Sequence, residues 1–316
     1  MSAAVRPSRA PVAHDELLAS LAGVSRRLFD ASPRAVEVQG GGLNNVVASF
    51  VVPKGRYVFR THRDPSRLQG FLKERWATDA ARRVGVPTPR VLEVSSTDDG
   101  IPYMILEHVE GVPASEHPDR VACARQLGSY AARLHALSTR GYGEVFDWSS
   151  NQLSRRRSWT DFLAQDYQAD RRLGLLRRRR LIDAVQLRAL RRTLRDWQGM
   201  RRPPALQHGD LRAKNLMMAS GGARGVALLD WEDCLSSPPP YWDMSIALHD
   251  LGIDEKEAFL AGYGMKPRAY ARVARFVRLL NVLHYSAVVE SEQDVEQLQW
   301  LRARLRGVMD LYERGA

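Results

Sequence analysis

Cysteine is nearly absent from this sequence, which contains two in 316 residues. Cys123 and Cys234 are too few for a disulfide framework, and they lack the Cys-x-x-Cys spacing of a metal site. No apolar run approaches the roughly 18 residues that a membrane span requires. Residues 1–13 also lack the continuous apolar stretch of a secretion signal. We therefore expect a loose N-terminal tail on a cytoplasmic protein that has no membrane partner.

Lysine and glutamate are missing from the stretch 151–205, although this stretch is rich in charge. It contains fifteen arginines and five aspartates, a net charge of +10, against +11 for the whole chain. Such a block either attracts an anionic partner or forms the solvated face of arginine-rich helices, and both interpretations stay open. A nucleic-acid-binding protein is one alternative, and its affinity would fall steeply with salt. We expect no nucleic-acid partner.

The apolar pattern predicts a β-rich region at the start of the chain. Helical spacing of apolar residues indicates a first helix over Asp15–Phe29. Short runs bounded by glycine and proline then indicate strands. The predicted strands are Val36–Val38, Asn45–Val52, Arg56–His62, Val91–Val94 and Pro102–Glu107, with one long helix over Pro65–Val84.

Beyond Gly111 the pattern is mostly helical, apart from a hairpin around Gly221-Gly222. We therefore predict an α+β fold with an N-terminal tail and helix (1–30), an N-lobe (31–110) and a C-lobe (111–316) in which 151–205 is an arginine-rich helical insert. The predicted elements of the C-lobe are helices over Pro118–Leu137, Asp161–Trp197, Tyr241–Leu251, Lys256–Tyr263, Pro267–Val288 and Val295–Tyr312, and hairpin strands over Leu216–Met218 and Val226–Leu229.

The most informative segment is His208-Gly209-Asp210, followed after four further residues by Asn215 and, twenty residues after Asp210, by Asp230-Trp231-Glu232. Phosphoryl transfer from ATP requires a carboxylate that orients the acceptor hydroxyl and takes its proton, and oxygen ligands for Mg²⁺. Asp210, Asn215 and Asp230 supply such side chains. The pattern therefore predicts an ATP- and Mg²⁺-dependent kinase.

These motifs resemble the aminoglycoside phosphotransferase family, a branch of the protein-kinase-like superfamily that also contains choline, homoserine, methylthioribose and fructosamine kinases. The resemblance covers roughly residues 36–312. It implies a two-lobed protein-kinase-like fold, with a small β-rich N-lobe carrying one long helix and a larger, mainly helical C-lobe. It also implies that Asp210 is the catalytic base, that Asn215 and Asp230 are metal ligands, and that Trp231 takes the packing place of the kinase Phe.

Four neighbouring residues extend this interpretation. Arg212 is a candidate to contact the transferring phosphate as a forked donor, with a surface arginine as the alternative. The resemblance implies that Asp243 braces the catalytic loop from the following helix and that His208 holds the loop backbone. Gly209 replaces the Arg with which regulated protein kinases clamp a phosphorylated activation loop, which favours constitutive activity.

Residues on the nucleotide side come from the third predicted strand. Alternation places Val58 and Arg60 on one face of the strand. Protein kinases have, at the place of Arg60, a lysine that grips the phosphates and pairs with a helix Glu, for which Glu74 is the matching residue here. Arginine keeps the charge and offers a broader donor set, and an ordinary edge-strand arginine is the alternative.

Two further segments resemble the family's nucleotide-binding elements. The Gly40-Gly41-Gly42 run is not a G-x-G-x-x-G motif, but it resembles the family's glycine-then-asparagine version of the phosphate-covering loop. Residues 106–111 resemble the interlobe hinge, where backbone groups meet adenine. The candidates from these segments are Gly41, Gly42, Asn44 and Asn45 in the loop, and Glu107 and Val109 in the hinge.

The acceptor is a small-molecule hydroxyl compound whose identity stays open. The arginine-rich block disfavours a polycationic aminoglycoside if its side chains face the pocket. Acidic residues near the last helix would suit one, although acids also favour helix N-termini. Antibiotic phosphorylation, a metabolic kinase of the choline, homoserine or sugar type, and a nucleotide-binding pseudokinase without turnover are the alternatives. The acidic residues are Glu290, Glu292, Asp294 and Glu296.

Overall fold

The computed structural model describes residues 14–39, 45–147, 152–199, 201–220, 222, 224–291, 296–303 and 305. These residues form two compact units. Of the described residues, the first unit comprises those from His14 to His117 together with those of Lys214–Cys234, and the second comprises those of Pro118–Ala213 together with those from Leu235 onward. The lobe boundaries drawn from the sequence stay a prediction.

The elements follow one another as a β-rich N-terminal region and a mainly helical C-terminal region, which confirms the α+β class. The helices are α1 (His14–Phe29), α2 (Arg67–Arg83), α3 (Arg120–Leu134), α4 (Trp159–Asp161), α5 (Ala169–Arg178), α6 (Ala184–Gln198), α7 (Tyr241–Asp250), α8 (Ile253–Tyr263) and α9 (Pro267–Ser291), with a π-helical turn at Phe162–Asp166 and a 3-10 turn at Ala213–Asn215. The strands are β1 (Arg34–Gln39), β2 (Val46–Val52), β3 (Gly55–Thr61), β4 (Val91–Ser96), β5 (Pro102–Glu107), β6 (Val112–Pro113), β7 (Phe146–Asp147), β8 (Gln152–Leu153), β9 (Ala205–Gln207), β10 (Leu216–Met218), β11 (Gly225–Leu228) and β12 (Leu235–Ser237).

A five-stranded antiparallel sheet with the order β1-β2-β3-β5-β4 forms the centre of the first unit. Side-chain alternation gives the sheet two different faces. Phe50 and Phe59 point to a core that α1 closes with Leu17 and Leu21. The opposite face, which includes Val58 and Arg60, is left for the cavity described below. The five predicted strands are confirmed to within two residues at each end.

The hairpin β10–β11 also belongs to the first unit, where β10 pairs with β6. Gly111 lies at the entrance to β6 with a φ of +150°. A Cβ atom at this position would lie 2.4 Å from the backbone oxygen of Met218, so glycine lets the two backbones approach. The two hairpin strands were predicted from the sequence. The other short strands were not, because two or three residues are too few to show an alternation of apolar and polar side chains. These strands are β6, β7, β8, β9 and β12.

The prediction of one helix over Asp161–Trp197 is wrong. The chain leaves the helical conformation at Gln168 and at Arg180, whose φ values are +51° and +57°. Helix α6 then starts afresh at Asp183 with a capping box, in which Asp183 and Gln186 each accept the other's backbone N–H. Arginine and leucine favour a helix throughout this stretch, so the amino-acid composition could not predict where the helix is interrupted. Part of the helix predicted over Val295–Tyr312 lies outside the described residues, as does Gly221 of the predicted turn, while residues 296–303 are helical.

Helices α3 and α8 of the second unit pack with their backbones in close approach. A Cβ atom at Gly128 would lie 2.1 Å from the oxygen of Phe259, and one at Gly262 would lie 1.9 Å from the oxygen of Arg125. Glycine is therefore required at both positions. Among the described residues, no helix has the length and apolar character needed to cross a membrane.

Candidate functional site

A cavity of about 480 Å³ opens in the first unit, lined by residues of β2, β3, β5 and the hairpin β10–β11. This volume is typical of small-molecule sites, in which apolar walls surround a few polar groups. The apolar lining includes Val47, Val58, Val91, Met104, Leu106, Met217 and Leu229, and the polar lining includes Asn45, Arg60, Glu74, Asp230 and Glu232.

Arg60 links two carboxylates in this cavity. Its Nη1 donates to Glu74 Oε2 at 2.7 Å, which confirms the predicted pairing of these two residues. Its Nη2 lies 3.5 Å from Glu232 Oε2, and the same oxygen accepts from Asn45 Nδ2 at 2.9 Å. Sequence reasoning gave Glu232 no role of its own. Its place two residues after Asp230, in the Asp-Trp-Glu run, was the signal that could have found it.

The charges at this end of the cavity do not balance. Burial raises the pKa of Glu74, and Arg60 counters this effect while Glu232 and Asp230 add to it. Burial opposes the charge of Arg60, but Glu74, Glu232 and Asp230 together raise the pKa of Arg60 above its ordinary value. Three carboxylates thus share one guanidinium, a formal charge of −2 when all are ionised. A divalent cation would offset this excess.

Asp230 follows β11 in a left-handed conformation, with a φ of +61°. Residues other than glycine adopt it at a cost, and such strain gathers at functional sites. The backbone N–H of Leu229 donates to the backbone oxygen of Asn215 at 2.8 Å, which joins the two segments that carry Asn215 and Asp230. Amide and carboxylate oxygens suit Mg²⁺.

No three His, Cys, Asp or Glu side chains of the described residues form a metal cluster. The oxygen-bearing side chains of Asn215 and Asp230 are of the kind that suits Mg²⁺, which commonly takes one or two carboxylates and completes its shell with water and phosphate oxygens.

The remaining nucleotide-side candidates fall into two groups. Glu107 and Val109 line the cavity at the end of β5. There the backbone N–H groups of Glu107 and His108 donate to the backbone oxygens of Arg90 and Arg56, at 2.9 and 3.1 Å. Trp231 is buried, and its Nε1 donates to the backbone oxygen of Leu228 at 2.8 Å. The candidates Gly41, Gly42 and Asn44 lie outside the described residues.

The segment predicted to be the catalytic loop, residues 208–212, belongs to the second unit and follows β9. The fully buried carboxylate of Asp243 accepts the N–H of His208 at 2.8 Å and that of Gly209 at 2.9 Å. His135 Nε2 lies 3.0 Å from the same carboxylate, and its Nδ1 lies 2.9 Å from Tyr263 Oη. Gly209 has a φ of +89°, which glycine adopts without strain. Asp243 therefore fixes the loop backbone, as the resemblance implied.

Asp210 and Arg212 are in direct contact within this loop. The Nε of Arg212 donates to Asp210 Oδ1 at 2.6 Å, and its Nη1 lies 3.2 Å from Asp250 Oδ2. The N–H of Asp210 donates to His208 Nδ1 at 3.3 Å, so this histidine holds the loop as expected. The structure thus brings Asp210 and Arg212 together in the second unit, and it brings Arg60, Glu74, Asp230 and Glu232 together in the first.

Comparisons with known proteins place this architecture in the protein-kinase-like superfamily. The sequence model of the APH family, described as a phosphotransferase enzyme family, matches residues 35–280. The chain therefore belongs to this family.

Solved structures of aminoglycoside phosphotransferases share its fold. The crystal structure of aminoglycoside phosphotransferase APH(4)-Ia is 17% identical, with a TM-score of 0.68, over 92% of this chain and 97% of that chain. The GDP and kanamycin complex of APH(2″)-IIIa is 19% identical, with a TM-score of 0.60, over 92% of this chain and 96% of that chain. A curated mouse (Mus musculus) protein, acyl-CoA dehydrogenase family member 10, is 27% identical over 167 residues, which are 48% of this chain and only 14% of that protein.

Proposed function

We propose that this chain is an ATP- and Mg²⁺-dependent kinase that phosphorylates a hydroxyl group of a small molecule. The observation that carries the proposal is the cavity of the first unit, whose apolar wall is combined with the Arg60–Glu74 pair and with Asp230 and Glu232. Family membership supports phosphotransfer, and a thermostable mutant of the structural relative APH(4)-Ia was solved with AMP-PNP and hygromycin B.

The apolar and the polar residues of the cavity have different roles in this proposal. Val58 and Leu106 provide an apolar surface for the adenine ring, and the backbone of Glu107 and Val109 provides its hydrogen-bond partners. Arg60, oriented by Glu74, donates to the phosphates. Asn215 and Asp230 would hold Mg²⁺, which suits the negative excess at this end of the cavity.

In the proposed reaction, ATP supplies the γ-phosphoryl group and Mg²⁺ offsets its charge. Asp210 accepts the proton of the acceptor hydroxyl as the new oxygen–phosphorus bond forms. The bond between the γ-phosphorus and the bridging oxygen breaks, and ADP leaves with that electron pair. Arg212 orients Asp210 and provides donors for the equatorial phosphate oxygens.

The test of this assignment is Asp210→Asn, which keeps the shape of the side chain and removes its basicity. We expect kcat to fall by about 10²- to 10⁴-fold, the usual contribution of a general base. Since Asp210 is assigned to proton transfer and is not among the residues that line the nucleotide cavity, the Kd of ATP measured by calorimetry should stay within about twofold of the parent value. The exposed Asp254→Asn, in the same unit, is the matched control and should keep full activity.

A second variant separates metal binding from catalysis. Asp230→Asn should abolish the gain in ATP affinity that Mg²⁺ confers, whereas the exposed Asp233→Asn, three residues away, should retain it.

Undiminished turnover in Asp210→Asn would exclude the role of Asp210 as the base. Tight Mg²⁺-dependent ATP binding without transfer of label from γ-labelled ATP to any compound in a metabolite extract would instead identify a pseudokinase.

A further inference from the structure

Arg172 is a buried cation without a carboxylate partner. It lies in the first turn of α5, and 5% of its surface is exposed. Its Nε donates to the backbone oxygen of Tyr167 at 2.7 Å, its Nη1 lies 3.4 Å from Ser286 Oγ, and its guanidinium covers the Tyr167 ring at 4.6 Å. No ion pair joins it to any Asp or Glu of the described residues. Buried charges are normally paired, so an anion would stabilise this site.

The neighbouring arginine shows how unusual this arrangement is. Arg171 has 58% of its side chain exposed and pairs with Glu290 at 2.5 Å. Two further arginines of the block, Arg156 and Arg191, likewise pair with Asp166 and Asp170 at the surface. Arg172 therefore differs from these arginines in both burial and charge compensation.

A half-buried histidine, His284, lies in the same region as Arg172 and is neutral. His284 Nδ1 lies 3.0 Å from Tyr167 Oη, and its Nε2 lies 3.1 Å from Ser245 Oγ. Burial lowers the pKa of His284 to about 3, with further contributions from Arg172, Arg212 and His249. The imidazole is therefore neutral at pH 7, mainly because it is buried, and the positive charges of Arg172 and Arg212 favour the same neutral form.

Trp242 connects this region to the catalytic loop within the second unit. Its ring lies 5.1 Å from that of Tyr167 and 4.9 Å from that of His284, measured between centroids. Its Nε1 lies 3.4 Å from the backbone oxygen of Gly209, the residue before Asp210. The Arg172 region is thus one indole ring away from the loop that carries the proposed base.

The carboxylates around this region are Asp210 and Asp250, which contact Arg212, and Glu144, which lies near Tyr167. Arg212 lies between Asp210 and Asp250, at 2.6 and 3.2 Å. Glu144 is close enough to affect the pKa of Tyr167, which burial raises, but its effect is smaller than that of Arg172. The loop that carries the proposed base thus has two carboxylates around one guanidinium, whereas Arg172 has no acidic partner among the described residues.

From this difference in charge compensation we infer that the acceptor carries an anionic group, a carboxylate or a phosphate, that binds Arg172 while its hydroxyl lies at Asp210. The inference rests on the kinase activity proposed above and narrows its substrate class. A polycationic acceptor would bring like charge to the buried guanidinium of Arg172, which lacks a carboxylate to screen it. Tyr167, His284 and Ser286 provide neutral hydrogen-bonding groups around the anion.

The experiment separates a metabolite extract at pH 7 into anionic, neutral and cationic fractions on ion exchangers, after nucleotides have been removed. Each fraction is incubated with the full chain, Mg²⁺ and γ-labelled ATP. We expect label transfer in the anionic fraction. Treating that fraction with a phosphatase beforehand distinguishes the two sources of charge, because a phosphate-bearing acceptor is lost and a carboxylate-bearing acceptor survives.

Variants at two adjacent arginines test the contact itself. In dilutions of the active fraction, Arg172→Gln should raise the apparent KM of the acceptor by about 10- to 100-fold, the usual effect of removing a charged hydrogen bond. The KM of ATP should stay within about twofold, because Arg172 has no role in the nucleotide cavity. Arg172→Lys, which keeps the charge but loses the fork, should give a smaller rise, and Arg171→Gln should give none.

The outcomes separate this inference from the kinase proposal. Transfer confined to the neutral or cationic fraction would leave the kinase intact and overturn the anionic acceptor. If Arg172→Gln and Arg172→Lys lose kcat and ATP affinity to the same extent as each other, Arg172 has a purely structural role, and the inference of an anionic acceptor is overturned. ATP binding without transfer in any fraction would contradict the kinase proposal and this inference together. If Arg172→Gln does not fold, the fractionation and Arg172→Lys still decide.

Discussion

The Asp243→Asn substitution should destabilise the second unit, because this carboxylate accepts three hydrogen bonds at a site from which water is excluded. Oδ2 lies 2.8 Å from the backbone nitrogen of His208 and 3.0 Å from His135 Nε2, and Oδ1 lies 2.9 Å from the backbone nitrogen of Gly209. Asparagine keeps one acceptor oxygen and turns the other into an NH₂ donor. Whichever way the amide points, at least one buried N–H loses its acceptor and faces another donor.

The magnitude follows from the number of groups left without a partner. One buried N–H and one amide NH₂ at about 1–3 kcal/mol each suggest a loss of roughly 3 kcal/mol. For a unit of this size that loss corresponds to a Tm lower by about 6–12 °C in differential scanning calorimetry. The matched control is Asp196→Asn, which breaks a surface ion pair with Arg275 at 3.1 Å, and it should shift Tm by less than about 2 °C.

Two readouts decide whether this account of Asp243 is correct. A Tm for Asp243→Asn within about 2 °C of the parent would mean that the buried carboxylate does not hold the loop. Because His208 and Gly209 immediately precede Asp210, displacement of their backbone should also lower kcat more than it raises the KM of ATP. An unchanged kcat at a temperature where the variant is folded would refute the link between the brace and the base.

Three further predictions concern packing, pH and the nucleotide cavity. Gly128→Ala should destabilise the protein by several kcal/mol, about the cost of forcing a methyl group against a neighbouring backbone, because its Cβ would lie 2.1 Å from the oxygen of Phe259. The control Gly70→Ala has nothing within 4 Å of its Cβ, so thermal unfolding should show α2 stabilised by about 0.5–1 kcal/mol. His284 has a pKa lowered from 6.5 to about 3, so the stability that its neutral form contributes is complete above pH 6.5 and is lost as the pH falls toward 3, by at most about 1.4 kcal/mol per pH unit. In urea unfolding, His284→Gln should lack this loss of stability at low pH, and equal pH profiles for the variant and the parent would contradict the prediction. Arg60→Lys provides a single ammonium where the guanidinium contacts both Glu74 and Glu232, so calorimetry should show weaker ATP binding by about tenfold, and unchanged affinity would argue against phosphate contact.

The β-rich region was predictable because its signals are local. Alternation in β3 placed Val58 and Arg60 on one face, and the kinase pattern identified Glu74 on the next helix as the partner of Arg60. The first prediction is confirmed because both side chains line the cavity, and the second is confirmed by the pairing at 2.7 Å. Asp210, Asn215 and Asp230 were identified as site candidates from the sequence as well, because their oxygen-bearing side chains occur in one short stretch with the spacing of a phosphoryl-transfer motif; their roles stay a prediction.

The break-up of the arginine-rich stretch was not predictable from composition. Arginine and leucine favour helix at each of these positions, whereas the turns depend on single residues such as Gln168 and Arg180 taking positive φ. Tertiary packing of α5 and α6 against α9 selects those turns, and local propensity carries no record of it. Glu232 was overlooked for a related reason, since only the folded sheet brings it beside Arg60 and Asn45.

The net charge of +10 over residues 151–205 illustrates why function must be argued from contacts rather than from totals. Read as one quantity, it indicates either an anionic partner or a solvated surface. In the structure, Arg171 is an exposed side chain paired with Glu290, whereas the guanidinium of Arg172 is buried against the Tyr167 ring and pairs with no acid in the part of the chain that the structure describes. Exposed pairs contribute little to binding or stability, while a desolvated charge interacts strongly with any anion that reaches it. The solvated-surface interpretation therefore fits the exposed, paired arginines, and the anionic acceptor inferred above requires only Arg172.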